Sequence, residues 1–346
     1  MKVTIQQVAD MCNVSRGTVD RVLHNRPNVH PQIRQTVLAA LSRAGYRSPS
    51  QRRQSTSHFT AGMILPAWPD RYFLTHTLRG IRTALGKLDK SRFTLLTDQL
   101  SGRSIEEHIE AIKRLRARGV NDIILNAPMI PNITALLNDA ITEGGHVITY
   151  FDELPQCPAS YYVGQDVVRS GRVAAGLMAK YMRPGERVLA VSGDLLFHSH
   201  RGRVYSFAHH LGELVGDQSA VEIVYCHEYF EATAQAIHQQ LILDDRIRYV
   251  YMATQSVPGC IEGIRRALLP YKNTVICNDT TAAAHEFLES GDVDFVIGQN
   301  AAHTAAQAVE TMYKILCLDI EPRTHKLYTD LTIYTKQMLH QEEARK

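Results

Sequence analysis

An α/β body of parallel, doubly wound sheets behind a small all-helical head is the fold class this sequence predicts, and three observations predict it. From Phe59 onward, short apolar runs alternate with helical stretches, the pattern of parallel sheets covered by helices on both faces. The segment before it carries helical periodicity only. Charge divides along the same line. Residues 1–53 hold nine Lys and Arg against two acidic residues, net +7, while the rest of the chain holds 29 basic and 33 acidic residues, net −4. A basic head on a mildly acidic body points to a polyanionic partner for the head.

A chain of 346 residues, 45% apolar and 21% charged, reads as an ordinary globular protein of two or three domains. The start, Met1 to Gln7, has no apolar h-region and no cleavage site, and no apolar run approaches a membrane span. A cytoplasmic protein with no membrane partner is therefore expected. Cys12, Cys157, Cys226, Cys260, Cys277 and Cys317 are scattered without a C-x-x-C pair, so reduced, buried thiols are expected.

Within the head, Thr4 and Gln7 form a capping box, and Ile5, Val8, Ala9 and Cys12 make one buried stripe. Asn13-Val14 breaks that helix. Ser15 N-caps a second, which turns Val19, Val22 and Leu23 inward and Arg16, Gly17, Asp20, Arg21 and His24 outward. Asn25-Arg26-Pro27-Asn28 is a loop. Pro31 opens a third helix with Ile33, Val37, Leu38, Leu41 and Ala44 on its apolar face, and Gly45 stands at its end. A helix, a tight turn and a second helix with a basic outer face describe a helix-turn-helix whose second helix enters the major groove. A protein-binding helical bundle is the alternative that pattern alone leaves open.

The segment from Thr4 to Pro49 resembles the headpiece of the LacI/GalR (lactose-repressor) family. The matching words are Val8-Ala9, Val14-Ser15, Thr18-Val19, Arg21-Val22-Leu23, Asn25, Val29, Arg34, Val37 and Gly45-Tyr46. The resemblance implies base reading at Arg16, Gly17 and Arg21, where an Arg fork suits guanine O6 and N7. Gly17 has no side chain to read with and would let the backbone approach closely. Thr4, Ser15 and Thr18 resemble the family's phosphate-contacting or capping positions, and Asn25 is a further DNA-binding candidate that the resemblance implies. Asp20 departs from the pattern. Phosphate repels a carboxylate there unless Arg16 or Arg21 pairs with it, or it accepts from cytosine N4. After Tyr46 the family places a hinge helix with a Leu that wedges into the minor groove. Residues 47–57 have no Leu and no apolar stripe, so a basic, polar linker is expected, with Arg52 and Arg53 following phosphates.

The body's strand-like runs lie at 61–65, 93–97, 122–126, 147–151, 161–164, 188–192, 221–225, 249–253, 274–277 and 295–298, with helical stretches such as 104–118 and 170–182 between them. Neither G-x-G-x-x-G nor a Walker A sequence is present, which removes the main support for nucleotide enzymes. The region resembles the type I periplasmic sugar-binding fold that the same family carries as its sensor. Its anchors are Leu65-Pro66, Arg79-Gly80-Ile81, Ile124-Leu125-Asn126, Gln165-Asp166 with Gly171, and Gly298-Gln299. The resemblance implies two lobes, chain crossings near 164–168, 296–300 and 325–331, and a ligand in the cleft between them. The expected layout is a DNA-binding head at 1–47, a linker at 48–57 and a sensor at 58–335. Lobe 1 takes about 58–164 and 299–325, lobe 2 about 168–296 and 330–340, and a polar tail runs over 337–346.

Carried over by position, the ligand-binding candidates are Phe73, stacking on a sugar face, Asn126, Gln165, Asp166, Arg203, Asn278 and Gln299. Amides and carboxylates suit vicinal hydroxyls because each presents two polar atoms. Each residue has a plainer reading too: Phe73 as core, Asp166 as a helix cap, Asn126 and Asn278 as turn formers. The sequence departs from the family at Ala253-Thr254-Gln255-Ser256, where Asn-Asp is usual, and at Asn278, where Asp is common. Both changes are expected to lower negative charge in the cleft and admit an anionic ligand. Trp68 and Arg71 stand near the cleft mouth. His198-Ser199-His200 and His209-His210 lack metal-ligand spacing and read as solvated, so no metal and no cofactor are expected.

The expectation is a sequence-specific transcription regulator, a repressor, that binds a pseudo-palindromic double-stranded operator as a homodimer under control of a sugar, polyol or sugar-phosphate effector. A solute receptor should carry a signal peptide and lack the head. An enzyme built on Ser192-Gly193-Asp194 lacks a nucleophile elbow.

Overall fold

The computed structural model describes residues 4–23, 26, 29–44, 57–68, 71–226 and 228–343. His24, Asn25, Asn28, Gly45-Tyr46 and nearly all of the linker lie outside them. The head is three helices, α1 (Ile5–Met11), α2 (Arg16–Leu23) and α3 (Pro31–Arg43). The Thr4 capping box forms: Thr4 Oγ1 accepts the Gln7 N–H at 3.3 Å, and Gln7 Oε1 accepts the Thr4 N–H at 2.9 Å. Val8, Ala9, Val19, Val22, Val37, Ala40 and Leu41 form the core. Two residues expected on the inner face of α3 are not there. Ile33 is 39% exposed and Leu38 50%, because the buried stripe is Val37, Ala40, Leu41 and Ala44, and Leu38 lies one step around the helix from it. Ala40, small enough for close helix approach, takes the place.

The body alternates as the pattern requires. Strands β1 (Phe59–Leu65), β2 (Phe93–Gln99), β3 (Ile123–Leu125), β4 (Val147–Tyr150) and β5 (Tyr161–Gln165) are joined by α4 (Arg71–Lys87), α5 (Ile105–Ala117) and α6 (Pro131–Thr142). The chain then builds a second unit from α7 (Val167–Ala179), β6 (Arg187–Ser192), α8 (His198–Val215), β7 (Val221–Tyr225), α9 (Phe230–Leu243), β8 (Ile247–Met252), α10 (Val257–Arg266), β9 (Thr274–Asn278), α11 (Ala282–Ser290) and β10 (Phe295–Gln299). It returns to the first unit with α12 (Ala301–Tyr313) and β11 (Lys326–Thr329), and ends on the second with β12 (Leu331–Tyr334) and α13 (Lys336–Glu343).

The first sheet runs β11-β5-β4-β3-β1-β2 and the second β12-β10-β9-β8-β6-β7. All pairings are parallel except β10 with β12. Central strands are buried on both faces, which is why they read as unbroken apolar runs rather than alternations. Strand order reverses at β1 and at β6, so each sheet opens a crevice at the carboxyl ends of these strands, and the two crevices face one cleft.

Two glycines fix helix spacing. A Cβ on Gly80 would stand 2.1 Å from the Ala302 carbonyl oxygen, so α4 meets α12 without a side chain between them. A Cβ on Gly171 would stand 2.1 Å from Ser206 Oγ and 2.3 Å from the Arg203 carbonyl oxygen, so α7 presses directly on α8. The polar tail folds for most of its length as α13, and Leu339 packs against the second lobe's core. Among the described residues no helix is long and apolar enough to cross a membrane.

Candidate functional site

Two sites emerge, one on the head and one between the lobes. On the head, burial of Val19 and Val22 turns Arg16, Gly17 and Arg21 to solvent on the other face of α2. Thr4 and Ser15 cap their own helices, and the Thr18 hydroxyl lies 2.9 Å from Ser15 Oγ. Asp20 meets Arg26 Nη1 at 3.6 Å. The sequence reading named Arg16 or Arg21 as its partner and missed Arg26, whose backbone is held by Arg21 and Arg34. A Cβ on Gly17 would meet nothing nearer than Ser15 Oγ at 3.7 Å. Among the described residues of the head, none thus requires glycine at this position.

The cleft is lined by residues from strand ends of both lobes. One wall is aromatic. Trp68 stacks on Phe73 with centroids 5.9 Å apart and planes at 30°, and Phe151 stands nearly perpendicular to both. Phe73 is both a core residue of α4 and part of this wall, so its two sequence readings hold together. Phe197 from the second lobe completes the apolar lining.

The polar lining centres on Arg203, fully buried on α8. Burial works against its charge, but Asp279 above all, with Tyr251 and Asp152, outweighs that and raises its pKa. Its Nη1 lies 3.5 Å from Asp279 Oδ2 and its Nη2 donates to Gln165 Oε1 at 3.3 Å. Gln299 donates to Asp279 Oδ1 at 2.9 Å. Asn126 donates to Asp152 Oδ2 at 2.8 Å and to the Tyr150 carbonyl. Glu228 accepts from Arg103 at 2.6 Å and from Thr254. Burial would raise the Glu228 pKa, but His200, Thr254 and Arg103 hold it below the usual carboxylate range.

Among the described residues, four buried polar atoms in this lining have no hydrogen-bond partner: Arg203 Nε, His108 Nε2, Gln255 Oε1 and Gln299 Oε1. An unmatched buried polar group costs ~1–3 kcal/mol. A polyol answers such a set well, because each hydroxyl offers one donor and two acceptor sites.

The sequence candidates divide. Phe73, Asn126, Arg203 and Gln299 line the cavity. Gln165 sits behind it, joining Arg203 to the Gly298 carbonyl across two crossings. Asp166 caps α7 by accepting the Arg169 N–H at 2.9 Å and is not part of the lining. Asn278 turns into the second lobe, where Tyr251 and Ser170 use both ends of its amide, and the cleft position falls to Asp279. The expected loss of negative charge is corrected as well. Asp152, Glu228 and Asp279 all face the cleft, against the guanidiniums of Arg103 and Arg203. Ser199 and His200, read as solvated, line the cavity because α8 starts there. Arg103, His108, Phe151, Asp152, Phe197, Glu228 and Asp279 were missed, while Gln255 falls in the stretch already read as departing from the family at the cleft. Asp152 and Asp279 had a usable signal, an acidic residue one or two positions after a predicted strand. Among the described residues no group of three metal-binding side chains occurs.

Comparisons with known proteins bear on both sites. Residues 4–49 match the model for bacterial regulatory proteins of the lacI family, and residues 61–319 match that for the periplasmic binding protein domain. The HTH-type transcriptional regulator MalR of Streptococcus pneumoniae is 26% identical over 176 residues, covering 44% of this chain and 54% of the relative. Catabolite control protein A of Priestia megaterium is 32% identical over 137 residues, covering 33% and 41%. The chain thus spans about half the length of the curated relatives it matches. Among solved structures, an Agrobacterium vitis ABC transporter solute binding protein with bound D-fucose aligns at TM-score 0.72 and 18% identity, covering 83% of this chain and 99% of that one. GanP, a glucose-galactose binding protein from Geobacillus stearothermophilus, aligns at TM-score 0.70 and 18% identity, covering 81% and 99%.

Proposed function

Since this chain belongs to the periplasmic binding protein domain family and carries a lacI-family head, we propose that it is a DNA-binding transcription regulator, a repressor, whose operator affinity a small polyhydroxylated effector controls. The observation that carries this reading is the joining, in one chain, of a head exposing Arg16 and Arg21 to a two-lobed cleft with unmatched polar groups. Relatives named as transcriptional regulators support it, and solved neighbours with bound sugars support the effector class. The protein acts as a homodimer on pseudo-palindromic DNA, because one short recognition helix reads too few bases alone. It binds DNA inside the cell and performs no catalysis.

The cleft favours a neutral effector. Three carboxylates against two guanidiniums oppose a phosphate, so sugars and polyols fit better than sugar phosphates. A solute receptor would leave the basic head without a task.

Selection of DNA from a randomised pool, followed by binding titrations with and without sugars, tests the reading. Enrichment of a two-fold symmetric site, with affinity altered by a sugar, is expected. Equal affinity for selected and random DNA would overturn it.

A further inference from the structure

We propose that Arg103 and Glu228 form a gate that sets effector length, admitting one sugar ring to the cleft and excluding two. The inference rests on the effector reading above and deepens it.

Arg103 lies in the loop between β2 and α5 on the first lobe, and Glu228 in the loop between β7 and α9 on the second. Their ion pair, at 2.6 Å, spans the cleft, and both residues line the cavity. The Arg103 side chain is 37% exposed and that of Glu228 only 3%, so the pair stands where cavity meets solvent. Asp152, Arg203 and Asp279 are as buried as Glu228, so among these charged lining groups Arg103 is the one that reaches solvent. Glu228 is not free to swing away. Its backbone is held at φ 61°, in the left-handed region, and its carboxylate is engaged by Thr254 and His200. Trp68, Phe73 and Phe151, packed against Tyr150, form an apolar wall of the same cavity.

The cavity that these residues line together has a volume of about 60 Å³. At ~10–15 Å³ of such space per water it holds roughly four to six waters, about what one ring with its hydroxyls displaces. A second ring would have to leave past Arg103. That route requires breaking the ion pair and abandoning a buried carboxylate, which a neutral sugar hydroxyl compensates poorly.

Full-length protein is tested by thermal shift against monosaccharides and a cyclitol (D-glucose, D-galactose, D-xylose, myo-inositol) and against maltose, lactose and trehalose. Wild type should be stabilised by one or more single-ring ligands and by no disaccharide. The variant Arg103→Ala/Glu228→Ala removes both charges together, so neither is orphaned, and should bind a disaccharide roughly tenfold or more tighter than wild type does. Should that variant fail to fold, Arg103→Ala/Glu228→Gln keeps partners for Thr254 and His200 and opens the same route. A disaccharide that stabilises wild type as well as its component sugar overturns the gate alone. So does a folded variant that keeps monosaccharide binding and gains no disaccharide. No shift of wild type with any sugar overturns the gate and the effector reading together.

Discussion

Asp152 of the first lobe caps a helix of the second, its Oδ1 accepting the Ser199 N–H at 2.7 Å. The helix has no cap of its own, since Phe197 at the N-cap position offers no side-chain bond. A carboxylate at a helix start is favourable in both hydrogen bonding and charge. This bond, unlike the one Asp152 accepts from Asn126 of its own lobe, exists only while the lobes are together, so it favours closure of the cleft. Asp152→Ala should lose ~0.5–2 kcal/mol from closure, and effector affinity should fall about two- to thirtyfold while operator binding by the free protein stays intact. Calorimetric titration measures this, and unchanged affinity would remove Asp152 from the closure mechanism.

Arg203→Lys should weaken effector binding more than its retained charge suggests. Lysine cannot hold Gln165 and Asp279 as a fork while presenting a further donor to the cleft. A loss of ~1–3 kcal/mol in effector affinity is expected, with operator binding preserved. Arg203→Ala should instead destabilise the fold, because it leaves Asp279 buried without its cation. Equal effector response in wild type and Arg203→Lys would place the ligand elsewhere.

On the head, Arg21→Ala should cost the specific operator ~1–3 kcal/mol and spare nonspecific DNA binding. Gly17→Ala makes a sharper test. Among the described residues the added methyl meets only Ser15 Oγ, at ordinary contact distance, and it replaces a poor helix former, so stability should hold or rise by up to ~1 kcal/mol. If the α2 backbone lies against DNA, operator binding should nonetheless fall. Band-shift titration beside thermal melting separates the two effects, and full operator affinity in Gly17→Ala would refute the close approach.

Acid should weaken the first lobe through His108. Burial lowers its pKa from 6.5, with Nδ1 held by the Ser104 carbonyl only partly opposing this. A histidine with a lowered folded pKa contributes stability that is complete above 6.5 and is lost as pH falls toward the folded value. His198 shifts the same way, also through burial. His146, raised by its bond to Asp122, works in the opposite sense and loses its contribution as pH rises. Melting temperature should therefore fall from pH 7 to 5, and less steeply in His108→Gln. An identical slope in both proteins would exclude His108 as a cause.

Leu339 is spent on the second lobe's own core and is not available to a seam for further assembly. Sedimentation should give a dimer at micromolar concentration that survives removal of residues 336–346. A stable monomer would contradict the dimeric reading, and a tetramer would require another surface.

Much of this fold was legible because its signals are periodic. The stripe of Val8, Ala9, Val19, Val22 and Val37 specifies the head, and the buried strand runs specify two parallel sheets. What escaped lacks a period. Strands β11 and β12 are four residues each, and β11 is mostly exposed, so its Lys-Leu-Tyr-Thr reads as loop. The cleft carboxylates sit past strand ends, where direction depends on one or two backbone angles. Asn278 and Asp279 illustrate the sensitivity. The last residue of β9 turns inward to Ser170, while its neighbour, at φ 72°, faces the cavity. An error of one position inverts the side chain's direction. Phe151, Glu228 and Asp279 all adopt left-handed backbone at the cleft, and no residue type there announces it.

The return of the chain to its first sheet bears on how the protein is born. Strand β11 and helix α12 complete the first lobe, yet they are synthesised after every strand of the second sheet except β12. On the ribosome the head can fold as soon as it emerges, whereas β5 waits with an open edge while some 160 residues are added. The second lobe, lacking only β12 and α13, should become protease-resistant on nascent chains first, and the first lobe only once residue 329 clears the exit tunnel. Chains arrested between α11 and β11 should accordingly yield a protected second lobe beside a digestible first one.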